Sequence, residues 1–335
     1  MKHNLINSIF LLFFSLTLLG NLALFPAAEN TPTYVAIGDS ITEGSGMKNK
    51  ENCFVNKFTK QLQGNIPELV SYNYGKQGDT ITETLTKVQE DKELREHLSN
   101  AAYISITTGG NDILKIAADT ARNVTNTNYK KAKKIPKYIK NENVAKLILG
   151  YLKKGSTKEK LDEFLDTFTQ NYHALLEELM ELNPNAIILN QTIYNPASGS
   201  EYESLAEAID YVTVKMNAVI TDEVYEQNSE RILLTDTYAL FKDQSPRYVR
   251  IMEDDIHPTK EGHQLIADSL YETLYSPSVT ETIASEIKPV ASTEIEPTPA
   301  TDVGKVSSVT VLLSVGTIVF LILFIRLLLF TFRKL

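Results

Sequence analysis

The 335-residue sequence has a single cysteine, Cys53, so no internal disulfide can form. It opens a helical pattern whose Phe54, Val55, Phe58 and Leu62 read as core, and it is expected to pack there as a small hydrophobe. Metal-ligand spacings are also missing: no His-x-x-x-His or Cys-x-x-Cys occurs, and the five histidines are scattered. Neither a metal nor another cofactor is expected. No cysteine follows the N-terminal apolar run, which argues against lipid attachment there, and no Leu-Pro-x-Thr-Gly sorting signal is present.

Positive charge is scarce except in one place. From Ile113 to Lys160 there are 13 Lys and Arg against Asp119, Glu142 and Glu159, a local charge of +10 in a chain of net −9, which leaves −19 for the remainder. Apolar residues are interleaved there (Ile135, Tyr138, Ile139, Leu147, Ile148, Leu149, Tyr151, Leu152). Two readings stay open: an amphipathic lid that meets an anionic lipid or polymer surface, and a solvated helical pair with a lysine-rich outer face. Nucleic acid is not expected as a partner, because the rest of the chain is acidic and both ends point to export.

Lys2 and His3 precede an apolar run from Ile9 to Phe25, and Ala27-Ala28 supply small residues, so residues 1–28 read as a signal peptide or uncleaved signal anchor. Residues 276–305 contain 17 Ser, Thr, Pro or Glu in 30 positions, a composition unable to bury a core. They read as a stalk reaching on the order of 30 Å. Val306 to Phe332 is almost wholly apolar apart from Arg326, long enough for a single membrane span over 306–328, with Arg333 and Lys334 in a cytoplasmic tail at 329–335. The expectation is a single-pass protein of a bacterial cell envelope, with its domain on the outer face.

Between these ends, residues 30–275 alternate strand and helix patterns. Strand candidates are 33–38, 69–74, 102–107, 186–192 and 231–236; helical stripes run near 53–63, 80–98, 202–226 and 259–275, with the clearest from Leu161 to Leu179. Five short apolar strands alternating with helices imply an α/β fold: a three-layer α/β/α sandwich around a five-stranded parallel sheet.

Three of the strand candidates end in loops that carry polar groups. Tyr34-Val35-Ala36-Ile37 leads into Gly38-Asp39-Ser40-Ile41; Leu69-Val70-Ser71-Tyr72 into Asn73-Tyr74-Gly75-Lys76-Gln77-Gly78-Asp79-Thr80; and Ala102 to Ile106 into Thr107-Thr108-Gly109-Gly110-Asn111-Asp112. The carboxyl ends of parallel strands are where ligands bind, so these loops should converge. Far downstream, Asp254-Asp255-Ile256-His257-Pro258 offers an imidazole beside carboxylates. A serine hydroxyl with a base and an orienting acid is the pattern of nucleophilic acyl transfer. Asp39 reads as a loop-fixing residue that accepts from backbone amides.

These four blocks resemble the GDSL, or SGNH, hydrolase family of serine esterases, lipases and carbohydrate deacylases. Its Ser, Gly, Asn and His match Ser40, Gly78, Asn111 and His257, with Ile41 where the first block usually has Leu. The resemblance covers about residues 33–275; the stretch 113–182 matches only in being helical and reads as a lid insertion. It implies the flavodoxin-like fold of that family, with Ser40 as nucleophile and His257 as base. It also implies an oxyanion hole from the Ser40 and Gly78 backbone N–H groups and the Asn111 amide, and it favours Asp254 over Asp255 as orienting acid. The function implied is hydrolysis of carboxylic esters, with lipid or fatty-acyl esters first. An envelope-polysaccharide O-deacetylase or acyltransferase is the alternative, and a tethered binding module without activity the second.

Overall fold

A computed structural model describes residues 31–125, 140–253 and 255–276. The expected leader at 1–28, the stalk and the apolar span at 306–328 lie outside the described residues, as do Asp254 and Lys130, Lys131, Lys133, Lys134 and Lys137. Among the described residues no helix is long and apolar enough to cross a membrane.

Five strands form one parallel sheet: β1 Thr33–Gly38, β2 Val70–Gly75, β3 Ala101–Thr107, β4 Ile187–Gln191 and β5 Ile232–Thr235, in the order β2-β1-β3-β4-β5. Each begins and ends within a residue or two of its sequence-predicted place. Apolar β1 is buried between β2 and β3, whereas β2, at the edge, leaves Val70 exposed. Chain direction across the sheet reverses between β1 and β3. That is the switch point at which α/β sheets open a crevice for ligands.

Helices cover both faces. They are α1 Ser40–Glu43, α2 Phe54–Gln63, α3 Ile81–Glu90, α4 Lys92–Ser99, α5 Gly110–Thr125, α6 Glu142–Leu152, α7 Gly155–Leu182, α8 Glu203–Glu226, α9 Thr237–Phe241, α10 Ser245–Tyr248 and α11 Lys260–Leu274. Alternation along the strands sorts the core in two. Ile104, Ile106 and Ile188 pack with Phe168, Leu175 and Met216 on one face, while Tyr34, Ala36 and Leu189 pack with Phe58, Leu62 and Leu270 on the other. Each large side chain so buried contributes about 1.5–3 kcal/mol.

The helical stretch expected over 80–98 is divided. Asp91 breaks it because its carboxylate accepts from the Glu93 and Leu94 N–H groups at 3.1 Å, capping a new helix. Thr80 and Glu83 form a reciprocal capping box that starts α3 immediately after the Gly78 loop. In the 113–182 stretch, α6 buries Ala145, Ile148, Leu149 and Leu152 against α5, α7 and α8, and leaves Leu147 and Tyr151 exposed. The packing reading of Cys53 holds: it is buried, and burial pushes its thiol pKa up.

Candidate active site

The loop after β1 is shaped by Gly38, which has φ +135°; a Cβ there would lie 1.9 Å from the Thr107 carbonyl oxygen on β3. This close approach lets the Asp39 N–H donate to that carbonyl at 3.1 Å across the switch point. The Asp39 carboxylate accepts from the Ile41 N–H at 2.9 Å and from Thr107 Oγ1 at 3.0 Å, while Thr42 Oγ1 bonds Thr107 Oγ1 at 2.7 Å. Asp39 therefore caps α1 and presents Ser40 as the first residue of that helix, as expected of a loop-fixing acid. Burial pushes the Asp39 pKa up to about 6 against the opposing effect of those hydrogen bonds.

Asn111 and the Gly78 loop are joined directly: the Asn111 side-chain amide donates to the Asp79 carbonyl at 2.8 Å. Asp112, the next residue, accepts from the Ile81 N–H at 3.1 Å, and burial raises its pKa to about 6. Lys87 pairs with the Asp79 carboxylate. Gly78 has φ +93°, yet a Cβ there would have no neighbour within 4 Å. Its constraint is therefore the left-handed backbone and not lack of room.

His257 is held by the carboxylate of Asp255. Asp255 Oδ1 lies 2.5 Å from His257 Nδ1 and accepts the His257 backbone N–H at 3.1 Å, and Arg250 pairs with the other oxygen. Burial raises the Asp255 pKa, but the bonds from His257 and the Arg250 charge outweigh it and hold it below the ordinary range. The sequence reading favoured Asp254 for this place. The carboxylate on Nδ1 is that of Asp255, two residues before the ring, and Asp254 lies outside the described residues. A two-residue offset reaches the ring here because Asp255 also folds back onto the backbone of His257 in a tight turn.

The His257 loop is tied to the Ser40 loop by residues that no motif announces. Arg250 Nη1 donates to the Gly46 carbonyl at 3.0 Å, just beyond α1, and Tyr194 Oη donates to the Ile256 carbonyl at 2.7 Å. A Cβ on Gly46 would lie 3.4 Å from Asp255 Oδ2, so the two loops lie side by side. Sequence reasoning missed Arg250 and Tyr194.

Ser40 and Asn111 open on one cleft of about 1010 Å³, counted out to its mouth. Its walls are mainly aliphatic, with Ile113, Leu114, Ile193, Leu205, Ile209 and Ile256 among them. Three lining groups are more than nine-tenths buried and have no protein partner: Thr108 Oγ1, Gln191 Nε2 and Thr237 Oγ1, at the carboxyl ends of β3, β4 and β5. The other described histidines have structural partners. His263 is fully buried with Nδ1 accepting from the Phe54 N–H at 3.3 Å, His97 stacks on Tyr72, and His173 sits between Glu177 and Glu223. Among the described residues no cluster of three or more His, Cys, Asp or Glu could hold a metal ion.

The doubly covered parallel sheet places this cleft at its switch point, and the family pattern the chain carries makes it a carboxylic ester hydrolase. The chain belongs to the GDSL-like lipase/acylhydrolase family, whose pattern matches residues 36–265. It is 25% identical over 245 residues to the spore germination lipase LipC of Bacillus licheniformis, covering 72% of this chain and 95% of the relative. It is 23% identical over 241 residues to the uncharacterised protein YpmR of Bacillus subtilis, covering 71% and 80%. The crystal structure of the lipase Lip_vut3 from a goat rumen metagenome shares the fold, with a TM-score of 0.54 and 22% identity over 73% of this chain and 98% of that one.

Proposed function

We propose that the protein hydrolyses fatty-acyl esters through an acyl-enzyme formed on Ser40, at the outer face of a membrane to which its C-terminal apolar stretch tethers it. The observation that carries the acyl preference is the aliphatic lining of the cleft onto which Ser40 and Asn111 open. Each methylene buried there is worth about 0.8 kcal/mol to binding.

In this reading Ser40 Oγ attacks the ester carbonyl carbon as His257 takes its proton, and Asp255 holds the imidazole and stabilises its charged form. The oxyanion is met by the Ser40 and Gly78 backbone N–H groups and by Asn111. One N–H of the Asn111 amide is used on Asp79, and an amide has two. Collapse expels the alkoxide, which receives the proton from His257. Water then attacks the acyl-enzyme by the same route in reverse and returns Ser40. Its likeness to a spore germination lipase supports a lipid ester. Exposed Leu147 and Tyr151 beside Lys146 and Lys154 on the inserted helices support contact with an anionic surface.

A second reading, removal of acyl groups from a carbohydrate, draws support from the unpartnered Thr108, Gln191 and Thr237, which could bond substrate hydroxyls. The purified full-length chain, assayed on nitrophenyl esters of two to sixteen carbons and labelled with a fluorophosphonate, tests both. Preference for eight or more carbons is expected. Preference for two would move the assignment to deacetylation, and no turnover with no label on Ser40 would end both readings.

A further inference from the structure

Behind the cleft lies a second, smaller cavity of about 350 Å³, counted out to its mouth, lined by Ile116, Ala145, Ile148, Leu152, Ala208 and Val212. The two cavities are neighbours across a common wall: Ile113, Ala117, Leu205 and Ile209 line both. That wall is made by α5 and α8, and the rear of the second cavity by α6. No polar side chain lines the second cavity.

We propose that this second cavity receives the far end of a long acyl chain, and that Ala117 sets how many carbons pass into it. The proposal rests on the esterase reading above and adds the route and depth of the acyl group. Asn111 stands at the start of α5 with Ala117 six residues further along the same helix, about 9 Å at 1.5 Å per residue. A chain whose carbonyl sits beside Asn111 and which follows α5 therefore arrives at the shared wall. Ala117 has the smallest side chain of the four shared residues, so the barrier is lowest there. Close-packed interiors seldom leave apolar space unfilled, and an apolar cavity beside an apolar cleft suits hydrocarbon better than water. The inserted helices thus have a definite task at this site: the buried face of α6 closes the end of the acyl chamber.

Specificity constants of the full-length chain on nitrophenyl esters of two to sixteen carbons test this. Ala117→Phe should lower kcat/KM for esters of ten or more carbons at least tenfold more than it lowers that for the two-carbon ester. Ala208→Leu, which fills the second cavity alone, should shorten the preferred chain with no effect on short esters. Because either variant could fold poorly, the unaltered protein gives an independent measure. Its rate of inactivation by alkyl fluorophosphonates should climb with chain length past eight carbons before levelling. An unaltered protein that hydrolyses esters but shows a flat inactivation series beyond four carbons, or variants with unchanged chain profiles, would overturn the acyl chamber and leave the esterase reading standing. Absence of all turnover and labelling would instead strike the esterase reading itself.

Discussion

Asp255 meets His257 twice through one oxygen, which lies 2.5 Å from Nδ1 and 3.1 Å from the backbone nitrogen. A carboxylate so placed fixes both the tilt of the ring and the nitrogen that carries the proton, which in the proposed mechanism leaves Nε2 to act as base. Asp255→Asn should therefore lower kcat on a short ester by at least a hundredfold, the corresponding change in a serine protease costing about 10⁴. Asp254→Asn should cost much less. Steady-state kinetics of the two variants decide it, and the reverse order would return the role to Asp254.

Arg250 bridges Asp255 and the Gly46 carbonyl, so it holds the base against the loop that follows the nucleophile. Arg250→Gln should reduce kcat by about tenfold to a hundredfold with little change in KM, since small misplacements of reacting groups cost up to about 10² in rate. Equal effects on KM and kcat would mean a role in binding instead.

Gly38 and Gly78 both have positive φ, but only Gly38 faces a neighbour, the Thr107 carbonyl, at a distance no Cβ tolerates. Gly38→Ala should abolish folding or cut the thermal midpoint severely, because relief requires β1 and β3 to part. Gly78→Ala should stay folded with a loss of about 1–2 kcal/mol, the usual cost of forcing a non-glycine residue into the left-handed region. Thermal melts of both variants would separate the two causes.

His263 is buried with a pKa lowered to about 3, first by desolvation and then by the nearby charges of His257, Lys57 and Arg250. Below its ordinary value of about 6.5 the unfolded chain binds a proton that the native ring refuses. Stability from this group is thus present at neutral pH and falls as pH drops from about 6.5 towards 3, by up to about 1.4 kcal/mol per unit. Asp39 and Asp112, raised to about 6, act with the opposite sign: their contribution is complete below about 4 and is lost as pH rises through about 6. The difference between the native protein and His263→Gln isolates the histidine. Urea midpoints taken from pH 7 to pH 4 should converge or cross in favour of the variant, and parallel curves would refute the assignment.

Much of the architecture was legible because β-strands that are buried on both faces must be apolar throughout, as Tyr34 to Ile37 and Ile187 to Leu189 are. Ser40 and Asn111 were legible as polar residues in loops after strands, and Gly78 through the resemblance of its block to the family pattern. What escaped depended on convergence through space. Nothing local distinguishes Arg250 from any surface arginine until Gly46 and Asp255 are brought to it. Thr108, Gln191 and Thr237 lie at or just beyond the carboxyl ends of three strands and align only once the sheet is assembled. The choice between Asp254 and Asp255 turned on how sharply the chain bends before His257, a property that spacing alone does not encode. Asp91 could have been read as a break, since it combines an acid with helix-starting Glu93 two residues on.

Helix α2, which follows the Ser40 loop, and helix α11, which follows His257, are clasped along their length. Lys57 bonds Gln264 at 2.6 Å, Gln61 bonds Asp268 at 2.6 Å and Asn65 bonds Tyr271 at 2.9 Å, pairs separated by 206 or 207 residues. Contacts of such long separation form late, after the loop they close has been ordered. On a ribosome, the front of the domain must wait for its final helix before the nucleophile and its base share a surface. In the proposed mechanism the nascent chain consequently carries Ser40 for most of its synthesis without the His257 that would arm it, and hydrolytic competence arrives with the docking of α11.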